Sequence, residues 1–231
     1  MDRSFLICEE TVGIKKFITV AGNIGAGKST LVKLLSERLG WQPFYEPVTD
    51  NPYLADFYKD MNSWSFHSQV FFLTHRLCVY QELSAWPTSV ILDRSLYEDA
   101  EIFASNLFTQ GYMNQRDNKT YQQLYSILLT FLPTPDVVVY LRCSVSTLMD
   151  RIHRRGRDFE RSMDSSYLET LNQAYEKWIA GFTLCPVLTV PADDLNLVAN
   201  PQHMELIVRK VQEKIAGKEE VVFLPEEYNH A

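Results

Sequence analysis

The sequence predicts an α/β domain in three layers, with helices packed around a parallel sheet of about five strands. Apolar, β-branched runs alternate with amphipathic segments along most of its 231 residues. A glycine-rich loop separates the first such run from the first amphipathic segment. The chain has no internal repeat, low-complexity stretch or Pro/Gly linker, so we expect residues 1–231 to form a single domain.

The first predicted elements lie on either side of the glycine-rich loop. Residues 17–21 (FITVA) are apolar and largely β-branched, which favours a buried strand. Residues 28–39 have helical periodicity and stop at Gly40, a residue suited to the position after a helix end. Residues 41–45 predict a short second strand. Asn51-Pro52 supplies an N-cap followed by proline, so a helix is expected from there through Tyr58.

The middle of the chain continues the alternation. Residues 64–83 carry apolar side chains at three- and four-residue spacing and predict a long helix. Residues 89–92 are a compact apolar run typical of a central strand. A helix over 97–108, a polar turn over 111–118 and a helix over 121–131 should follow.

The last third begins with the clearest buried strand, residues 136–141 (DVVVYL), which suits a parallel sheet. A basic helix follows and ends in residues 151–157. Ser166-x-x-Glu169 is a capping box that predicts a helix to about Gly181. A last strand and a last helix are expected at 187–190 and 201–216.

The glycine-rich loop reads Gly22-Asn23-Ile24-Gly25-Ala26-Gly27-Lys28-Ser29-Thr30 and matches the phosphate-loop pattern G-x-x-x-x-G-K-[ST]. Its glycines permit backbone angles that turn successive N–H groups towards an anion, and the following helix adds a positive N-terminus. Lys28 supplies a charge for the β- and γ-phosphates, and the hydroxyl of Ser29 suits Mg²⁺. The loop therefore predicts binding of a nucleoside triphosphate with Mg²⁺.

Composition limits the partners and the location. The formal net charge of −7 and the isoelectric point near 5.3 argue against binding to a nucleic-acid backbone. No apolar run approaches the roughly 20 residues that span a bilayer, so no membrane association is expected. Residues 1–10 are acidic and lack the features of a signal peptide, which favours the cytoplasm. The four cysteines are scattered and predict neither a zinc site nor a disulfide framework.

Two charged clusters follow predicted strands, at the edge where α/β sheets bind ligands. Glu46 comes after the second strand, where it could be a general base or only a solvent-facing carboxylate. Asp93 and Arg94 come after the third strand. Asp93 could orient water on Mg²⁺, and Arg94 could reach the acceptor oxygen or a phosphate.

A dense basic cluster closes the helix that follows the fourth strand. It contains Arg151, Arg154, Arg155 and Arg157, with Gly156 inside it. One interpretation is a solvated helix end that the helix dipole favours. The other is a lid, over about 154–163, that closes arginines over the transferring phosphate.

Four motifs together resemble the deoxyribonucleoside kinase family. They are the GNIGAGKST loop, Glu46-Pro47-Val48, Asp93-Arg94-Ser95, and Arg155-Gly156-Arg157 followed by Glu160. Asn51-Pro52-Tyr53-Leu54 and Phe57-Tyr58-Lys59-Asp60 are most similar to the bacterial deoxyadenosine/deoxyguanosine kinase branch. The resemblance implies a P-loop kinase fold with strand order 2-3-1-4-5 and a homodimer formed through helices. It also implies transfer of the ATP γ-phosphate to a deoxynucleoside 5′-hydroxyl, with Mg²⁺, in nucleotide salvage.

The resemblance implies the following roles for individual residues. ATP is held by residues 22–30 and by the lid arginines Arg151, Arg155 and Arg157. Mg²⁺ is held by Ser29 and Asp93, partly through water. Catalysis falls to Glu46 as the general base, Arg94 beside the 5′-oxygen, and Lys28. The sugar 3′-hydroxyl is held by Tyr58 and Glu160. The base is read by Gln69, Arg76 and Asp99, with Phe103 packed against it.

Periodicity and resemblance disagree about Gln69 and Arg76. They are seven residues apart on the long helix and share a face close to the apolar one. Periodicity alone favours an exposed glutamine and a snorkelling arginine. The resemblance instead places both against the base.

The chemistry of this group suggests an order of acceptors. An ionised Asp99 only accepts hydrogen bonds, so it suits the amino group of adenine or cytosine and repels O4 of thymine. Gln69 can pair with adenine through two hydrogen bonds. We therefore expect deoxyadenosine first, then deoxyguanosine or deoxycytidine, with thymidine disfavoured.

Two alternatives remain open at this point. One is a nucleoside monophosphate kinase resembling thymidylate kinase, whose charged acceptor would need additional cations. The other is a nucleotide-binding switch that transfers no phosphate.

Overall fold

The computed structural model describes residues 14–46, 51–160 and 163–228. Pro47 and Val48 of the Glu-Pro-Val motif lie outside the described residues, as do residues 161 and 162 of the predicted lid and the acidic start of the chain.

The described residues form a five-stranded sheet in the order β2-β3-β1-β4-β5, and every neighbouring pair of strands is parallel. The strands are β1 (Phe17–Gly22), β2 (Gln42–Phe44), β3 (Val90–Asp93), β4 (Val137–Arg142) and β5 (Val187–Pro191). The predicted number, direction and order of the strands are therefore confirmed.

Helices surround this sheet. Over the described ranges they are α1 (Lys28–Leu39), α2 (Leu54–Lys59), α3 (Met61–Ala85), α4 (Leu96–Glu98), α5 (Ser105–Thr109), α6 (Gln115–Leu129), α7 (Val145–Arg155), α8 (Ser165–Gly181) and α9 (Pro201–Ile215). A π-helical segment, Asp99–Ala104, joins α4 to α5, and single 3₁₀ turns lie at Asp158–Glu160 and Pro225–Glu227. Within these ranges, no helix has the length and apolar character that a bilayer crossing needs.

Four predicted helix starts were wrong, three of them because a capping side chain was missed. Helix α2 begins at Leu54 and not at Pro52, after a turn in which the Asn51 side chain accepts from the Tyr53 N–H. Helix α3 begins at Met61, where the Asp60 carboxylate accepts from the Ser63 N–H. Helix α6 begins at Gln115 behind the cap Asn114, so the predicted polar turn is wrong over its second half. Helix α8 is capped by Asp164, and the predicted Ser166 capping box is not used.

The predicted helix over 97–108 is interrupted by the π-helical segment. A π turn inserts extra backbone into a helix and rotates the side chains that follow, and such segments are frequent at functional sites. Asp99 and Phe103 both belong to this segment, and both line the main cavity.

Aromatic contacts fasten helices to the sheet. Phe17 of β1 packs edge-on against Tyr80 of α3, with ring centroids 5.7 Å apart. Tyr140 of β4 stacks on Tyr175 of α8 at the same centroid distance. The sheet interior is almost fully apolar and buried, which is the pattern of a parallel sheet covered on both faces. The packing of the helices on the sheet thus holds the carboxyl ends of β1 and β3 in place, and the polar residues lie at these ends.

Candidate active site

The phosphate loop follows β1 and has the predicted open, anion-binding form. Gly25 and Gly27 have φ values of 84° and 98°, in the left-handed region that favours glycine. A Cβ atom on Gly25 would lie 2.9 Å from the Leu148 carbonyl oxygen and 2.9 Å from Cγ1 of Ile152. Helix α1 begins at Lys28, directly after the last glycine of the loop, so its N-terminal N–H groups face the same space.

Lys28 is buried beneath the loop, and its Nζ donates to the Asn23 carbonyl at 3.0 Å. Burial and the nearby Arg94 guanidinium lower the pKa of Lys28 to about 8, although Asp93 and Glu46 act in the opposite direction. A bound polyphosphate would add negative charge beside this ammonium group and favour its charged form.

Ser29 and Asp93 form an oxygen-rich pair beside the loop. The Ser29 hydroxyl donates to Oδ2 of Asp93 at 2.5 Å. Oδ1 of Asp93 is buried and has no hydrogen-bond partner among the described residues. Burial raises the pKa of Asp93, Lys28 opposes this, and Glu46 adds to it. One hydroxyl and one carboxylate with a spare oxygen fit Mg²⁺, which prefers few protein oxygens together with water and phosphate.

The side of the cavity that is predicted to bind the acceptor contains a row of buried charges of alternating sign. Nε of Arg76 donates to Oδ2 of Asp99 at 2.9 Å, and its Nη2 lies 3.3 Å from Oε1 of Glu46. The same Glu46 oxygen lies 2.8 Å from Nε of Arg94. Both arginines are almost fully buried, so these pairs are shielded from solvent.

This row of charges keeps Glu46 ionised. Burial works to raise the pKa of Glu46, but Arg94, Arg76 and Lys28 outweigh it, and the net effect lowers the pKa. The carboxylate is therefore in the form that can accept a proton.

Arg94 has an unusual backbone. Its φ is 66°, and among the described residues it is the only non-glycine residue with a positive φ. Such a conformation costs about 1–3 kcal/mol and persists only where the surroundings impose it. The guanidinium lies over the Phe103 ring, 4.2 Å from the centroid, and its Nη1 donates to the Tyr175 hydroxyl at 3.1 Å.

Behind Arg94, Glu98 and Tyr175 form a fully buried pair that was not predicted from the sequence. Oε1 of Glu98 accepts from the Gly22 N–H at 3.1 Å and lies 2.8 Å from the Tyr175 hydroxyl. That hydroxyl is also 2.8 Å from the Gly22 carbonyl oxygen. Oε2 of Glu98 accepts from the N–H of Ser95 at 2.7 Å and from its hydroxyl at 3.1 Å. Only the Ser-x-x-Glu capping pattern hinted at this arrangement.

The residues predicted to read the base lie inside the protein, and the exposed alternative for Gln69 and Arg76 was wrong. Gln69 is 4% exposed and lines the main cavity together with Asp99 and Phe103. Arg76 does not line it, because its guanidinium is turned to Asp99, Glu46 and the Asp93 carbonyl. Ser68 also lines the cavity, and its hydroxyl accepts from the Asn51 side chain at 3.1 Å.

The arginines of the predicted lid make contacts within the protein. Nη2 of Arg155 donates to both oxygens of Glu160 at 2.7 Å, and Arg157 reaches the same carboxylate at 3.5 Å. Arg151 donates to the Ala26 and Ala192 carbonyls, which ties the phosphate loop to the segment after β5. Arg154 is exposed on α7 and lines the rim of the main cavity.

One cavity of about 810 Å³ joins these parts. The predicted site residues that line it are Ile24, Gly25, Ala26, Gly27, Lys28, Ser29, Thr30, Glu46, Tyr58, Gln69, Arg94, Asp99, Phe103, Arg151, Arg155, Arg157 and Glu160. Those that lie just behind its wall are Gly22, Asn23, Arg76 and Asp93. Residues 195–199 line the loop end of the cavity and were missed, since the segment after β5 has no motif in the sequence.

Comparison with known proteins agrees with this geometry. A family model described as deoxynucleoside kinase matches residues 18–216. The chain belongs to the deoxynucleoside kinase family. The enzyme is therefore a phosphotransferase acting on deoxynucleosides, and membership supports ATP as the phosphate donor. It also decides against the monophosphate-kinase and switch alternatives.

Individual relatives of the kinase match over most of its length. The deoxyadenosine/deoxycytidine kinase of Bacillus subtilis (strain 168) is 39% identical over 88% of this chain and 94% of its own. The deoxyguanosine kinase of the same strain is 35% identical over 86% and 97%. A solved structure of deoxyadenosine kinase from M. mycoides with bound dATP has a TM-score of 0.75 and 33% identity, over 85% of this chain and 99% of that one.

Proposed function

We propose that this kinase transfers the γ-phosphate of ATP to the 5′-hydroxyl of deoxyadenosine in nucleotide salvage, with deoxyguanosine and deoxycytidine as further acceptors. The observation that carries the proposal is the position of Glu46. Its carboxylate is ionised, lies between two buried arginines, and faces the same cavity as the phosphate loop. We also propose that the reaction takes place in the cytoplasm.

In the proposed reaction, Glu46 takes the proton of the 5′-hydroxyl as the 5′-oxygen forms its bond to the γ-phosphorus. The bond from that phosphorus to the β–γ bridging oxygen breaks, and ADP leaves with the electron pair. Arg94 and Lys28 stabilise the negative charge on the transferring group from opposite ends. To bind the donor phosphates, Arg155 and Arg157 would leave Glu160, and Arg151 would leave the two carbonyls to which it donates. Mg²⁺, held by Ser29 and Asp93, would neutralise charge on the β- and γ-phosphates.

On the acceptor side, Tyr58 and Glu160 bind the sugar 3′-hydroxyl in this proposal. The Tyr58 ring stacks on Phe159, with centroids 5.9 Å apart, next to Glu160 in the sequence. Gln69 and Asp99 read the base directly, and Phe103 packs against it. Arg76 acts on the base through Asp99, because it fixes both oxygens of that carboxylate and does not reach the cavity itself.

Glu46→Gln tests the proposed base. The amide keeps the size of the side chain but cannot take the proton, so turnover should fall by roughly two to four orders of magnitude. ATP affinity should change little, as measured by calorimetry. Glu37→Gln, on the exposed side of α1, is the matched control and should behave like the parent. Near-normal turnover in Glu46→Gln would remove the proposed base.

We also propose that the kinase is a homodimer formed through α3 and α6. Leu124, Ile127 and Phe131 are 40%, 57% and 77% exposed on and just after α6. The segment 122–131 (QQLYSILLTF) contains no charged residue. An exposed apolar face of this kind is typical of a subunit interface. Light scattering should report twice the chain mass, and Ile127→Lys should halve it, whereas the equally exposed Leu184→Lys should not.

A further inference from the structure

Glu98 and Tyr175 are both fully buried near the site, yet neither lines the cavity. Burying a carboxylate is costly unless donors surround it. Glu98 has such donors, namely the N–H of Gly22, the hydroxyl of Tyr175, and the N–H and hydroxyl of Ser95. Nη1 of Arg94 lies 4.0 Å away.

Helix capping explains only half of these contacts. Oε2 of Glu98 completes a capping box with Ser95 at the start of α4. Oε1 takes no part in that cap and faces away from it, towards Gly22 and Tyr175. A glutamate that served only the cap would not need its second oxygen to be fully buried and to contact residues distant in the sequence.

The other partners of the pair are the two halves of the site. Gly22 is the first residue of the phosphate loop, and the pair contacts both its N–H and its carbonyl oxygen. Arg94 touches the proposed base Glu46 through Nε and the Tyr175 hydroxyl through Nη1. The guanidinium is thus held on two edges and on its face, by Glu46, Tyr175 and Phe103.

From these contacts we infer that Glu98 and Tyr175 are positioning residues that hold Arg94 in register with the phosphate loop, so that the donor phosphate and the acceptor oxygen meet. The inference rests on the proposed role of Arg94 and Glu46. The Tyr175 hydroxyl accepts from Arg94 and gives its single proton to Gly22 or Glu98. Without that hydroxyl, Arg94 keeps its left-handed backbone but loses the contact that fixes its outer edge.

Tyr175→Phe tests the inference, because it removes one hydroxyl and leaves the ring that stacks on Tyr140. We expect kcat to fall by about ten- to a hundredfold, the size of effect that follows loss of one hydrogen bond to a charged group. KM for ATP and for the nucleoside should stay within about twofold, since neither substrate touches Tyr175. Tyr121→Phe is the matched control: its hydroxyl is equally buried and has no hydrogen-bond partner among the described residues. Its kcat should match the parent.

A double-mutant cycle shows whether Tyr175 acts through Arg94. Arg94→Lys keeps a charge but has no Nη1, so adding Tyr175→Phe to it should cost little further turnover. Glu98→Gln provides a second variant and should lower kcat with unchanged KM for both substrates. Equal losses of kcat on adding Tyr175→Phe to the parent and to Arg94→Lys would overturn the inference.

The outcomes also separate this inference from the proposed function. If Arg94→Lys turns over slowly and Tyr175→Phe and Glu98→Gln turn over at the parental rate, the inference fails while the role of Arg94 stands. If Arg94→Lys itself keeps the parental kcat, the proposed role of Arg94 fails, and the inference fails with it.

Discussion

The donor half and the acceptor half that we propose for the cavity are built in different ways. The donor half uses the main chain: a loop of glycine, the start of α1 and a single lysine surround the space for the phosphates. The acceptor half uses buried side chains, with Asp99, Arg76, Glu46 and Arg94 joined in one row. Main-chain recognition depends on local geometry, whereas the row of charges depends on four segments of the chain being brought together.

The difference predicts different responses to substitution. A change in the donor half should act on backbone conformation and ATP binding. A change in the acceptor half should leave a buried charge without its partner, so it should act on stability as well as on the choice of acceptor.

The largest effect should follow Arg76→Met. It leaves Asp99 and one side of Glu46 buried without the cation, so the free energy of unfolding should fall by about 3–5 kcal/mol. Denaturant unfolding measures this directly. Arg154→Met removes an exposed arginine from α7 and should change stability by less than about 0.5 kcal/mol. A loss in the free energy of unfolding below about 1 kcal/mol for Arg76→Met would show that the four charges in this row do not stabilise the fold together.

In the donor half, Gly25→Ala combines a positive φ with a steric clash. The new Cβ meets the Leu148 carbonyl oxygen and Cγ1 of Ile152 at 2.9 Å, so the loop must shift. We expect about 1–3 kcal/mol of lost stability together with weaker ATP binding by calorimetry. Gly111→Ala separates the two causes, because Gly111 has a φ of 81° and nothing within 4 Å of its Cβ position. ATP affinity should drop only in the Gly25 variant.

Acceptor choice should respond to Asp99→Asn. The amide can donate to O4 of thymine, which the carboxylate repels, and Arg76 loses its ionic partner. The ratio of kcat/KM for deoxyadenosine over thymidine should fall by about tenfold, as estimated from one hydrogen bond to a charged group. Glu101→Gln, two residues along and exposed, should leave the ratio unchanged. An unaltered ratio in Asp99→Asn would show that Asp99 does not read the base.

The last predicted effect, of about the same size, is a pH dependence of ATP binding measured in the presence of a metal chelator. Since the pKa of Lys28 is lowered to about 8, the free enzyme loses this charge as the pH rises past 8. Bound ATP favours the charged form, so Kd should rise about tenfold between pH 7 and pH 9. Phosphate groups titrate near pH 6 and stay ionised over this range. Lys28→Arg should give a flat profile, and a flat profile in the parent would contradict the lowered pKa.

The same contrast explains how far the sequence could be interpreted. The positions of the strands and the phosphate loop were predicted because apolar runs and glycine spacing are local signals. The order of the strands in the sheet was predicted only through the family resemblance. Glu46, Asp93 and Arg94 were found because parallel strands end at a common edge. Arg76 and Gln69 were assigned correctly to the interior only through the family resemblance, since periodicity favoured their exposure.

Contacts between distant segments had no local signal. Glu98 and Tyr175 are 77 residues apart in the sequence, and nothing in either neighbourhood indicates that they meet. Helix starts failed for a different reason, because several polar residues in a row could serve as the cap. Asp164 and Ser166 are both good caps by type, and only the path of the chain selects Asp164.

Helix α3 has a consequence for the free subunit. Gln69 and Arg76 face inward. The next residue after each, Val70 and Leu77, lies about 100° further round the helix and is only partly buried. In the proposed homodimer, α3 would thus contact the nucleobase through one face and the partner subunit through another. Dilution that separates the subunits should make α3 less rigid. As the protein concentration falls, the affinity for the nucleoside should therefore decrease before the affinity for ATP does.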